Sequence, residues 1–93
     1  MTIHWSKKAQ KAFQEQIVWY EANKGHDFVE TFASNISSTV NLLATMPSMG
    51  AYIKETNGRT YRSFVTHPRC TIFYWYSNKE LHIAHLRFSA VRQ

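Results

Sequence analysis

The spacing of apolar residues changes period partway along this chain, and that change fixes most of what the chain can fold into. From Ala9 onward, Phe13, Ile17 and Tyr20 recur at helical spacing, and Val29, Phe32, Ile36, Val40 and Leu43 follow at steps of three or four. Such spacing gathers apolar side chains on one face of an α-helix. Near Thr60 the period falls to two, in segments rich in β-branched and aromatic residues, which is the pattern of strands. Ser6 is a good N-cap for a helix over 7–23, and Lys24-Gly25 is its stop. Asp27 with Glu30 three residues later reads as a capping-box start for a second helix. Met46-Pro47 ends that helix, because proline lacks an N–H and restricts the residue before it. The link between the helices is roughly three residues, which permits only a hairpin.

Ile3-His4-Trp5 is a short candidate strand at the start. Residues 48–58 read as a loop, broken by Gly50, Asn57 and Gly58. Strands are expected over 60–65, 69–76 and 80–88, joined through Thr66-His67-Pro68 and Ser77-Asn78-Lys79, both short enough for antiparallel hairpins. The expected fold is therefore α+β, in the order β-α-α-β-β-β, with a helical hairpin on one face of a three-stranded antiparallel sheet. Ninety-three residues allow one domain, taken as 1–93. Three Trp, five Tyr and six Phe supply enough area for a core without disulfides. The single cysteine, Cys70, has no internal partner, which fits a reducing cytoplasm. The first residues carry no apolar signal region, and no apolar run approaches membrane-spanning length, so a cytoplasmic location and no membrane are expected.

The formal charge is +5, from 11 Lys and Arg against 6 Asp and Glu. That balance favours acidic partners, nucleic acid or protein, although many small domains are basic with no specific consequence. On strict alternation, Phe73 and Trp75 share a face of the middle strand, Arg62 and Phe64 share one in the preceding strand, and Ile83, His85 and Arg87 share one in the last. An arginine beside Phe73 or Trp75 on an open face binds phosphate or carboxylate and stacks on a ring. The competing reading is that Arg62, Arg69 and Arg87 solvate sheet edges or pair with Glu55 and Glu80. Among His4, His26, His67, His82 and His85 there is no metal-ligand spacing. His82 and His85, three apart on a strand, are expected on opposite faces and unable to chelate together. His67 reads as a turn residue before Pro68, and His85 is kept as the functional candidate. Cys70 reads as a buried apolar residue. Neither a cofactor nor a metal is expected.

Taken in order, Ile3-His4-Trp5-Ser6-Lys7-Lys8-Ala9, the Met46-Pro47-Ser48-Met49-Gly50 break, Arg62, Arg69-Cys70-Thr71-Ile72-Phe73-Tyr74 and Ile83-Ala84-His85-Leu86-Arg87-Phe88 resemble the RelE/ParE toxins of bacterial type II toxin-antitoxin systems. The resemblance implies a toxin neutralised by a co-encoded acidic antitoxin whose chain wraps it as a hetero-oligomer. Two mechanisms exist in that superfamily. RelE-like and YoeB-like members cut messenger RNA in the ribosome, and ParE-like members bind and inhibit DNA gyrase. Arg62 and Arg92 match basic positions of the RelE-like pattern, whereas Phe64 and Thr71 stand where it has a lysine and an arginine. Arg87 and Phe88 match the Arg-Tyr of the YoeB-like pattern, but Ser89-Ala90 replace the following His-Tyr. Proton-transfer groups are therefore missing from both alignments, which favours the ParE-like branch. The expected target-binding residues are Arg62, Phe73, Trp75, Arg87 and Arg92. The ribosome-dependent alternative rests on Arg62, Arg87 and His85 as catalytic candidates. A non-toxic basic binding module is the third reading. Val18, Trp19, Phe28 and Leu42, apolar positions beyond the helices' core stripe, either accept an amphipathic partner segment or complete the core, the latter fitting Leu42 better than Trp19.

Overall fold

A computed structural model describes residues 1–66 and 69–89. The described residues form β1 (Thr2–Trp5), α1 (Lys7–Asn23), α2 (His26–Thr45), a 3-10 turn (Pro47–Met49), β2 (Ala51–Thr56), β3 (Arg59–Thr66), β4 (Cys70–Tyr76) and β5 (Glu80–Phe88). The strands make one sheet in the order β1-β5-β4-β3-β2. β1 runs parallel to β5, and the other pairs are antiparallel. The α+β class, the helical hairpin and the antiparallel β3-β4-β5 unit are as the sequence pattern requires.

The helices begin and end for local reasons. Ser6 caps α1 by accepting a hydrogen bond from the Ala9 amide. Gly25 serves both helices. Its amide donates to the Tyr20 carbonyl at the end of α1, and its carbonyl accepts from Val29 at the start of α2. With φ at 92° it stands where L side chains are strained, so glycine suits this two-residue link. Asp27 is therefore not the cap expected of it; it lies in the first turn, where its charge complements the helix dipole.

The 48–58 stretch, expected as a loop, holds the 3-10 turn and β2. Every residue of β2 is exposed, so no alternation of polar and apolar positions marks it as a strand. Asn57 and Gly58, both at positive φ (52° and 75°), make the tight β2–β3 hairpin turn.

One face of the sheet meets the helices. Cys70, Ile72, Tyr74, Leu81, Ile83 and Leu86 bury there against Ala9 and Tyr20 of α1 and Val29, Phe32, Ile36, Val40 and Leu43 of α2. Each fully buried aliphatic side chain contributes about 1.5–3 kcal/mol. Burial pushes the Cys70 thiol up to about 12, which keeps it protonated and inert. Trp19 and Phe28 pack against this core half-buried, whereas Leu42 stays 45% exposed. That reverses the expectation for Leu42 and Trp19, because Leu42 falls on the outer side of α2.

Tyr74 ties the 3-10 turn to the sheet. Its hydroxyl donates to the Pro47 carbonyl (2.7 Å) and accepts from the Gly50 amide (3.0 Å). Gly50 sits so close that a Cβ there would lie 2.6 Å from the Ser63 carbonyl oxygen. Among the described residues, no helix is long and apolar enough to cross a membrane.

Candidate functional site on the open face of the sheet

The face turned away from the helices carries the chemistry. Directly paired residues share a face, so the register assigns Tyr61, Trp75 and His82 to it, together with Ser63, Phe73 and His85, and Val65, Thr71 and Arg87. β1 adds His4, paired with His82.

His4, His82 and Trp75, joined by Arg59 at the start of β3, form a column across four strands. Trp75 lies 3.9 Å from His82, centroid to centroid, with planes 3° apart. His4 stacks on His82 at 4.6 Å. The Arg59 guanidinium stands 4.1 Å from the Trp75 ring centroid. Strand order places His4 and Trp75 on opposite sides of the His82 ring, and His82 and Arg59 on opposite sides of the indole. Trp75 therefore offers a partner its edge, because both of its faces are covered. Tyr61 packs tilted beside Trp75, and Lys54 reaches over the Tyr61 ring at 5.1 Å.

A second group lies along β4 and β5. Phe73 stacks on His85, and the Arg87 guanidinium lies 5.1 Å from the Phe73 ring centroid. Burial, and then the positive charges of Lys8 and Arg87, lower the pKa of His85 from its ordinary value, so its ring is neutral at neutral pH. Among the described residues, His85 Nδ1 is the buried side-chain nitrogen or oxygen without a hydrogen-bond partner.

The face assignment in β5 departs from strict alternation. Phe73 pairs with His85 and the next residue, Tyr74, pairs with Ile83, so Ala84 is an extra residue in a β-bulge. The Ser6 hydroxyl donates to the Ala84 carbonyl at 2.7 Å and holds the bulge. As a result His82, His85 and Arg87 share the open face, while Ile83 turns into the core with Leu86 and Phe88. The expectation that Ile83 accompanies His85 and Arg87, with His82 opposite, is corrected by that single residue.

Arg62 does not join this surface. It pairs with Tyr74 and lies on the helix side of β3, where Nη1 donates to the Gly50 carbonyl at 2.8 Å and Nε donates to the Tyr76 hydroxyl at 3.1 Å. Its guanidinium also stands over Tyr52 at 5.5 Å. The expectation of one surface holding Arg62 with Phe73, Trp75 and Arg87 is thus corrected. Arg62 braces the turn before β2, whereas Phe73, Trp75 and Arg87 do lie together. Arg92, and the His67-Pro68 turn, lie outside the described residues.

Sequence reasoning missed two parts of the site. Arg59, which falls between the loop expected over 48–58 and the strand expected over 60–65, is the cation on Trp75. His4 and His82, separated by most of the chain, are brought into register by the parallel β1–β5 pair. Glu80 sits two residues before His82 and accepts a hydrogen bond from its Nε2 at 2.9 Å. This contact, followed by the charges of His4 and His82, lowers the Glu80 pKa despite an opposing burial contribution.

On the opposite side of the molecule, Ile3, Trp5, Phe13, Ala33, Ile36 and Val40 line an apolar groove of about 290 Å³ between β1 and the two helices, rimmed by Gln10, Gln14, Ser37 and Asn41. The groove is open to solvent.

The family described as ParE toxin of type II toxin-antitoxin system, parDE, has a model that matches residues 3–88. Among solved structures, the chromosomal ParDE TA system from P. aeruginosa aligns with 96% of this chain and 97% of its own, at 20% identity and a TM-score of 0.75. No curated protein matches.

Proposed function

We propose that this chain, which belongs to the ParE toxin family and is the toxin of a type II toxin-antitoxin system with a cognate antitoxin partner, arrests growth by binding DNA gyrase through the open face of its sheet. The supporting observation is the arrangement of Arg59, Trp75, Phe73 and Arg87, cations laid over aromatic rings on a surface that the fold leaves uncovered. Guanidinium groups over rings keep their in-plane N–H donors free for carboxylate or phosphate, and the rings exclude water from one side of each contact. Such a surface grips an anionic target without transferring a proton. Arg62, expected from the sequence beside Arg87 and His85 in an RNA-cleaving set, is held on the other face by Gly50 and Tyr76.

One observation favours a second reading. His85 is neutral beside Arg87 and under the charge of Lys8, which is the protonation state of a general base next to groups that stabilise a phosphate. That combination supports ribosome-dependent cleavage of messenger RNA by a set without Arg62. The antitoxin, in either case, lays an amphipathic segment into the groove lined by Trp5, Phe13 and Val40.

Two assays separate the readings. Purified protein added to a gyrase supercoiling reaction should inhibit it, with at least tenfold lower potency for Arg87→Ala and Arg59→Ala. Undiminished supercoiling, together with codon-phased transcript ends in arrested cells, would overturn the gyrase reading in favour of cleavage. Normal growth at verified expression would overturn both.

A further inference from the structure

We infer that His4, Glu80 and His82 form a binding site for a divalent transition-metal ion of the zinc type, at the β1–β5 edge of the sheet. The ligand atoms of these three residues lie within 4.8 Å of one another. Two imidazoles and one carboxylate are the donor set that borderline cations take, and the absence of a second carboxylate in the group argues against calcium or magnesium.

The positions are fixed by the backbone rather than by chance contact on a surface. His4 and His82 are direct partners in the parallel ladder, and Glu80 lies two residues earlier on the same face of β5, paired with Thr2. Trp75 backs the His82 ring at 3.9 Å and holds its plane, while Nε2 points at the Glu80 carboxylate, 2.9 Å away. His4 and Glu80 are exposed and His82 is half-buried, so water or a partner's group has room to complete the coordination.

Zinc bonds of about 2.0–2.2 Å hold tetrahedral ligand atoms about 3.4 Å apart, so the 2.9 Å His82–Glu80 pair opens slightly and the remaining adjustment falls to His4. The exposed His4 side chain supplies the movement, rotating out of its 4.6 Å stack on His82 to aim a nitrogen at the ion. The metal takes the Nε2 lone pair of the neutral His82 ring, whose single proton moves from Nε2 to Nδ1 by exchange with solvent. The carboxylate of Glu80 offsets part of the cation's charge on a basic protein. A bound ion would cross-link residues 4 and 82 and so fasten β1, a four-residue edge strand that among the described residues pairs with β5 alone. The inference is independent of which target the toxin binds.

The test is a calorimetric titration of the untagged full-length chain with Zn2+, with Co2+ absorption as a second readout. The wild type should bind one ion, give the visible bands of a tetrahedral or five-coordinate Co2+ site, and melt roughly 10 °C higher at free Zn2+ a hundredfold above Kd. His4→Gln, Glu80→Gln and His82→Gln should each lower affinity at least tenfold. His26→Gln, beside Glu21 and Glu30 on the helices, should leave it unchanged and serves as the control for surface histidines. His4→Gln and Glu80→Gln alter exposed groups, so both remain informative even where His82→Gln disturbs the stack on Trp75. Absence of binding by the wild type, or unchanged affinity in both His4→Gln and Glu80→Gln, overturns the site.

Discussion

The Ser6 hydroxyl donates a 2.7 Å hydrogen bond to the carbonyl of Ala84, a residue 78 positions away. The same oxygen accepts from the Ala9 amide, so one side chain both starts α1 and holds the bulge in β5. Replacing Ser6 by Ala should remove a helix cap and a bulge contact together, at about 2 kcal/mol in sum. Urea denaturation should show the loss. Nuclear magnetic resonance should show chemical-shift changes at His85, because the bulge sets the direction of its ring. A change within about 0.5 kcal/mol would mean that Ser6 bears neither role.

Arg62 and Arg87 should separate stability from function. Arg62→Ala removes both hydrogen bonds that brace Gly50 and Tyr76 and should lower stability by about 1.5–3 kcal/mol. Arg87→Ala, on the exposed end of β5, should leave the melting temperature within a few degrees of the wild type and abolish or strongly weaken growth arrest. Thermal melts beside a growth assay at matched expression check both. Growth arrest that survives Arg87→Ala, Arg59→Ala and the double variant would remove the open face as the working surface.

Gly50 and Tyr74 predict a graded pair. Tyr74→Phe strips two hydrogen bonds from a buried hydroxyl and leaves the Gly50 amide unpaired, at about 2–3 kcal/mol. Gly50→Ala forces a methyl group against the Tyr74 hydroxyl and the Ser63 carbonyl, which the rigid sheet cannot yield, so its loss should equal or exceed that of Tyr74→Phe. Equilibrium unfolding of the two variants gives the order directly.

The depressed pKa of His85 makes a signed prediction. An unfolded histidine takes up a proton near its ordinary value of 6.5, and the folded one does so only at lower pH. Protons therefore favour the unfolded chain between those two values. The contribution of His85 is fully present above about 6.5 and is lost as the pH falls toward the folded-state value. His85→Gln should flatten the fall in urea midpoint measured from about pH 8 to about pH 5. An unchanged slope would show that His85 titrates alike in both states.

The groove between β1 and the helices should respond to charge and bulk at Ala33. Ala33→Arg, in its lining, should weaken the antitoxin complex about a hundredfold, near 2.7 kcal/mol. Toxicity should persist, because the open sheet face is on the other side of the molecule. Co-expression with the antitoxin reads this out, as growth arrest that the antitoxin no longer relieves.

The sequence by itself determined the helices and the β3-β4-β5 strands, since period, caps and breakers are local signals repeated over many residues, and its ordered motifs carried the resemblance to the toxin family. Ser6, the Lys24-Gly25 link and the Met46-Pro47 stop are each legible within a few positions. β2 was not legible, because a strand exposed at every residue carries no alternation. Tertiary structure alone decided which face each side chain takes. One extra residue at Ala84 reverses the parity of a strand, and no local pattern in Ile83-Ala84-His85 announces it; the bulge carbonyl is bonded by a hydroxyl contributed from the far end of the chain. Pairing across distant segments likewise set Arg62 on Gly50 instead of beside Arg87, and brought His4 against His82. Contacts between residues far apart in sequence depend on register, and register is fixed only when the whole sheet closes over its core.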